Sequence, residues 1–559
     1  MNFDFSYVDQ AFRNGRVITV NERSDVVEAV GVKGNRIVFV GSNEDLDNLT
    51  GEETQVYDLQ GRTLMPGMID THIHPFLIGM LGDSLDSPMI SLFGGRVSSV
   101  GDILEKIKAV LTVKGDGEWV SMWGYEAPNL KENRDPTIEE LDAAAPNNPV
   151  QCMEGSGHKC MFNSRALETI GVRTPEDVKK YPENDIEVKD GRLTGMVYGV
   201  TLFLLWSKVG YSAEAMEKAA LYANDLFLKA GLTSIHDMGA CDRPSYHAMQ
   251  KLCRQRRFKP RVYMALHSIY GKPFSKEDNS HFLALGLQTG LGDAYFRIGT
   301  SKFMIDGGSS GPSCYTREPY SHDPAMLREK AWEREEVAEY IKLLNDAECQ
   351  ASAHAIGDGA VEFMVEGYEK AFETNPRPDL RHRIEHCTLV DQDLIDRMAK
   401  MNICPSVNAG IVAKNGGSYM RFYGERNKFF GALKSMLDAG IKCSLQSDAP
   451  SGPFGLECLD GAVNRYDRVR NIQCDRTQAV SVMEAIRIAT LNGAYSSFEE
   501  DIKGSLEVGK LADMIVLSGD ILAVDPMRIV ELQVDMTMID GEICYVREGA
   551  QGGFHMRET

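Results

Sequence analysis

Eight short apolar runs spaced along residues 64–447 constrain this chain more than any other feature. They are Leu64–Thr71, Leu232–Asp237, Arg261–Leu266, Arg297–Asp306, Gln350–His354, Arg383–Cys387, Ile403–Ser406 and Cys443–Ser447. Each is short and apolar enough to be a buried strand. Helical patterns fall between most of them: Glu214–Ala230, Glu335–Ala347, Ala360–Phe372, Asp391–Met401 and Phe430–Ala439. Strands that alternate with helices make a parallel sheet, because a parallel pair needs a long crossover. Eight such repeats are what a closed (β/α)8 TIM barrel requires. The predicted class is therefore α/β.

The ends of the chain read differently. Residues 1–63 hold short strands separated by turn signals such as Asn14-Gly15 and Gly34-Asn35. Ala512–Ser518 reads as a strand, and Asp535–Ile539 with Glu542–Val546 reads as a hairpin turned by Asp540-Gly541. One β-sandwich built from residues 1–63 and 501–559 accounts for both ends. Barrel strand one falls in 64–79 and the rest of the barrel in 213–500. Residues 80–212 are too many for one crossover and must form an insertion.

Composition narrows the partners. Lys and Arg number 60 against 81 Asp and Glu, a net charge of −21. That acidity repels phosphate backbones and argues against nucleic-acid binding. No apolar run approaches the ~20 residues of a membrane helix. Met1–Asn21 lacks the basic start and apolar stretch of a secretory signal. The 12 cysteines form no Cys-x-x-Cys pair, which excludes a zinc ribbon or thioredoxin motif. A cytoplasmic protein with reduced thiols is expected.

The chemistry gathers at strand ends. His72-Ile-His74 follows the first run, and residues two apart on a strand point the same way. Lys302 lies inside Arg297–Asp306, where burial of an unpaired ammonium is costly and lowers its pKa. Such a lysine either adds carbon dioxide to become a metal-bridging carbamate or pairs with an acid such as Asp306. His354, His386 and Asp448 close the fifth, sixth and eighth runs. Active sites of these barrels sit at the C-terminal strand ends. Four histidines, one lysine and one aspartate converging there predict a metal centre. Nitrogen and carboxylate ligands suit zinc, with iron, manganese and nickel as alternatives. Asp448 is the predicted general base and then acid, taking a proton from a metal-activated water and passing it to a leaving amine.

Several segments resemble the amidohydrolase superfamily, and within it amidohydrolase family 3, which contains enzymes like N-substituted formamide deformylase. The carriers are Asp58–His74, Pro149-Val150, Gly157-His158, Asn163–Leu167, His354–Gly359, Arg383-Ile-Glu-His386, Ser447–Pro450, Thr490–Tyr495 and Gly504–Leu517. They run nearly end to end in the family's order. The resemblance implies a metal-dependent hydrolase acting on an amide-type C–N bond of a small molecule: an N-acyl, N-formyl or cyclic amide. It implies that His72, His74 and Asp448 hold one metal, and His354 and His386 a second, with carbamylated Lys302 between them. One-metal members also exist. Gly199 stands where related sequences commonly carry a glutamate.

Other residues keep two readings. His158, which matches a histidine of the family's insertion, either faces substrate or is a hydrogen-bonded structural residue. Trp123 and Tyr125 either line a cleft or simply pack. Arg426 either pairs an acid or binds an anionic substrate. His236, His382 and Cys314 are expected to be structural. Ester hydrolysis, deamination or isomerisation on the same centre is the alternative activity, and a binding protein on an inherited barrel is a third. Such enzymes are commonly homodimers.

Overall fold

In the computed structural model the apolar runs become strands buried on both faces, as parallel strands covered by helices must be. It describes residues 7–155, 157, 159–182, 185–239, 243–266, 282–309, 313–326 and 330–556. Eight parallel strands follow one another in sequence order around one sheet. They are Met68–Ile73, Leu232–Asp237, Arg261–Leu266, Phe296–Met304, Ala351–Ala355, Arg383–His386, Cys404–Val407 and Ser444–Leu445. First and last strands meet through Thr71 Oγ1, which donates to Leu445 O at 2.8 Å. Beyond them, Asp448 N–H donates to His72 O and His74 N–H to Ala449 O, at 2.9 and 3.1 Å. The sheet is thus a nearly closed TIM barrel.

The first expected strand is really two. Thr63–Pro66 pairs with Arg16–Ile18 and Met514–Leu517 in a terminal sheet, while Met68–Ile73 pairs with Leu232–Asp237 in the barrel. Gly67 makes the transfer. A Cβ there would lie 2.1 Å from Thr233 side-chain atoms, so glycine lets the Thr233 side chain pack directly on this backbone. Pro66 has no N–H to continue the ladder.

Expected helices appear close to their predicted bounds, as Ala213–Lys229, Arg334–Asp346, Asp358–Thr374, Gln392–Lys400 and Leu433–Asp438. Gly410–Tyr423 is a helix that the sequence pattern did not single out. Its three glycines weaken the helical signal. At Gly416 a Cβ would meet Cys474 Sγ at 2.4 Å, so close packing dictates that residue.

Both chain ends share one six-stranded sheet, in the order Glu542–Val546, Val534–Ile539, Met514–Leu517, Thr63–Pro66, Arg16–Ile18, Val26–Val27. A four-stranded sheet of N-terminal strands packs with it around Phe12, Val30, Ile37, Met514 and Met538. Between the first two barrel strands, a seven-stranded sheet runs from Leu81–Gly82 to Ile186–Lys189 and has its own apolar core. Helix Val100–Val110 covers it, started by a reciprocal Ser99–Asp102 cap and burying Val100, Ile103, Ile107 and Val110 at helical spacing.

Candidate metal centre

Strand alternation sends Asp70, His72 and His74 to one side of the first strand. His72 is buried in the barrel interior. Its Nδ1 lies 2.9 Å from Glu385 Oε2, and its Nε2 lies 3.1 Å from Lys302 Nζ. A carboxylate can only accept, so His72 carries its proton on Nδ1 and turns the Nε2 lone pair inward. Glu385 is itself fixed by Arg383, which donates from Nε and an Nη at 2.7 and 3.0 Å, and by Ser352 Oγ at 2.5 Å. Burial raises the Glu385 carboxyl, but the Arg383 charge and hydrogen bonds outweigh it and hold the group below its ordinary range.

His74 reaches Asp448 Oδ1 with Nε2 at 2.9 Å, and its other nitrogen, Nδ1, is buried with no hydrogen-bond partner. Gly239, just past the second strand, makes room for that ring: a Cβ there would sit 2.1 Å from His74 Nδ1. Asp448 Oδ1 is also 3.6 Å from His72 Nε2. Burial pushes the Asp448 carboxyl up, but the His74 hydrogen bond and the surrounding imidazoles carry it well below the carboxylate range.

His386 completes the cluster from the sixth strand, with ring centroids 4.7 Å from His72 and 4.4 Å from His354. Its φ is 68° and that of Asp448 is 55°, a left-handed backbone that side chains disfavour. Such residues cost on the order of 1–3 kcal/mol each and gather at active sites. Here the twist matters sterically. Glu385 already points inward, and strict alternation would turn His386 away. Burial lowers the His386 pKa to about 4 and holds His72 well below the histidine range. Burial thus favours the neutral form of both rings, the form in which an imidazole can ligate a metal. Nearby, burial raises the Asp70 carboxyl to about 7 despite N–H donors from His72 and Ser447.

Lys302 is buried and donates to Met238 O at 3.1 Å as well as to His72. Burial lowers its pKa. Asp306 is engaged elsewhere, accepting the N–H groups of Ile356, Gly357 and Tyr315. His354 Nε2 lies 3.1 Å from Gly307 O.

His72, His386 and Asp448 each offer one ligand atom, all within 4.8 Å of one another. The imidazoles of His72 and His386, held toward their neutral form by burial, and the ionised Asp448 carboxylate suit a divalent cation. A cavity of about 420 Å³ opens over His354, His386 and Asp448, lined also by Phe93, Glu126 and Glu154 of the insertion and by one face of helix Gly410–Tyr423.

Trp123, Tyr125 and Arg426, expected to line a cleft or bind substrate, are not among the residues that line this cavity. Trp123 is held one layer back by its Nε1–H bond to Glu154 O, packing on Phe93. Tyr125 is buried and donates to Asp135. Arg426 spends its guanidinium on Glu318 O and Pro319 O. His158 lies outside the described residues. Gly199 opens helix Gly199–Ser207. His236 accepts from Arg383, His382 stacks on Tyr368, and burial raises the Cys314 thiol to about 12, all in keeping with structural roles.

A model of the amidohydrolase family matches residues 55–545. The chain belongs to the amidohydrolase family. Membership makes it a metal-dependent hydrolase acting on carbon–nitrogen bonds. N-substituted formamide deformylase of Arthrobacter pascens is 28% identical over 96% of this chain and 98% of the relative. Metal-dependent hydrolases of Pyrococcus furiosus and Pyrococcus horikoshii share the fold. Their TM-scores are 0.70 and 0.71, at 24% and 22% identity, and each covers 93% of this chain. The alignments take in 99% and 98% of those two chains. The family implies a divalent metal, and the His72–His386–Asp448 cluster fits one.

Proposed function

We propose that this amidohydrolase cleaves the amide C–N bond of a small N-formyl, N-acyl or cyclic amide in the cytoplasm. The observation that carries the reading is Asp448, whose carboxylate touches His74 and approaches His72 at the floor of an open cavity. His72, His74 and Asp448 would hold one zinc ion, His354 and His386 a second, and Lys302 would bridge them as a carbamate. Bound zinc lowers the pKa of a coordinated water and polarises a carbonyl. Asp448, kept ionised, takes the proton of the attacking water and delivers it to the departing nitrogen. Glu385 and Arg383 keep His72 in one tautomer while this happens. The insertion and helix Gly410–Tyr423 hold the substrate and limit access of bulk water.

The test is a panel of N-formyl, N-acyl and cyclic amides given to zinc-loaded enzyme, with amine release as the readout. Amine release from at least one class is expected. Ester cleavage, ammonia release from an amino-substituted ring, or isomerisation without any amide cleavage would overturn the reading.

A further inference from the structure

The lining of the cavity carries charges of both signs. The insertion wall presents Glu126 and Glu154. Helix Gly410–Tyr423 contributes Lys414 and Arg421, and the Tyr466–Gln473 hairpin contributes Arg470. Ile411, Lys414, Asn415, Ser418 and Arg421 recur at helical spacing, so one helix face lines the cavity.

The three cations are not equally available. Arg470 is committed to Asp467 Oδ2 at 3.2 Å and to Lys414 O at 3.0 Å. Arg421 is exposed and lies over the Phe422 ring. Lys414 is half-buried, and among the described residues its ammonium makes one long hydrogen bond, 3.3 Å to Ser451 O. The Glu457 carboxylate lies within electrostatic reach, but an ammonium has three donors, so hydrogen-bonding capacity remains. Ser451 follows Asp448 by three residues, which places this donor beside the reacting centre. Its ammonium also sits 5.8 Å from the centre of the Phe93 ring, an apolar surface at the same spot.

We propose that Lys414 is a specificity-determining residue that binds a carboxylate of the substrate, making the preferred substrate an anionic amide. This rests on the amide-hydrolase reading above and narrows it. The Phe93 and Ile411 side chains on the same walls suit an apolar group next to that carboxylate.

The test compares N-formylphenylalanine, both enantiomers, with N-formyl-2-phenylethylamine, which lacks only the carboxylate. Zinc-loaded enzyme should favour one formylphenylalanine enantiomer by about 10–100-fold in kcat/KM, mostly through KM, the range for a charge-assisted hydrogen bond. Lys414→Met should bring the ratio near one, and Lys414→Arg should keep part of it. Calorimetric titration of the zinc-loaded enzyme with 3-phenylpropanoate and 3-phenylpropanamide gives a readout without turnover. The acid should bind at least about tenfold tighter, and Lys414→Met should abolish the difference. Cleavage of the neutral formamide without preference for the acid would overturn this inference and leave the amide reading standing. Lys414-dependent binding of the acid without cleavage of any amide would support Lys414 as the carboxylate-binding residue and sink the amide reading. Full acid preference in Lys414→Met, by both measurements, would also overturn it.

Discussion

His72 Nδ1 and Glu385 Oε2 face each other at 2.9 Å inside the barrel, where both side chains are shut off from solvent. The pair fixes which nitrogen of His72 bears the proton, and so which one is left for a metal. Carboxylate–histidine pairs of this kind typically matter about 10–100-fold in metal affinity. Glu385→Gln should weaken zinc binding by about that factor, measured by chelator competition. It also leaves the Arg383 guanidinium without its counter-charge in the interior, so the melting temperature should fall. Unchanged zinc affinity would remove Glu385 from the centre's support.

Asp448→Asn keeps an oxygen that can touch the metal but cannot carry a proton. Turnover should drop by about 10²–10⁴-fold while zinc content, read by elemental analysis, stays close to that of the parent. Unaltered turnover would refute the proton-transfer role.

Lys302 tests the bridge. Its burial favours the neutral amine, the form that adds carbon dioxide. Zinc loading of the metal-free protein should rise with added bicarbonate, and Lys302→Arg, which stays charged, should lose that response and at least one metal. Loading that ignores bicarbonate in the parent protein would reject the carbamate.

His382 gives a pH dependence separate from the metal. Its ring is buried against Tyr368, Nδ1 accepts the Ala351 N–H at 2.9 Å, and burial lowers its pKa from 6.5 to about 3. Between those values the unfolded chain binds the extra proton and the folded one does not. Its stabilising effect is therefore present above pH ~6.5 and is lost as pH falls toward ~3. His382→Gln should flatten the fall in denaturation midpoint between pH 6.5 and 4, whatever its effect at neutral pH. An identical slope in parent and variant would exclude this ring as a source.

Residue order alone made the barrel legible, because eight apolar runs alternating with helices have few other solutions. His72, His74, His386 and Asp448 could be picked out because each sits where a strand ends. Glu385 and Arg383 were in view within Arg383-Ile-Glu-His386, yet their role depends on a contact with a residue 313 positions away. Alternation marks both as inward-facing, and that was the available signal. The positive φ of His386 has no such signature, since most histidines, though enriched there among non-glycine residues, do not adopt a left-handed backbone. Gly67 was hidden inside what reads as one continuous strand. The cavity wall was missed for another reason: helix Gly410–Tyr423 carries three glycines, chosen by packing rather than propensity.

The seam between Asp448 N–H and His72 O has a temporal consequence. During synthesis the His72–His74 segment leaves the ribosome long before Asp448 exists, and a domain generally folds as a unit. Half of the centre must therefore wait, exposed or transiently covered, until the last strand arrives to shut the ring. The contact that brings Asp448 to His72 and His74 is then available only once the chain has been made past the eighth barrel strand.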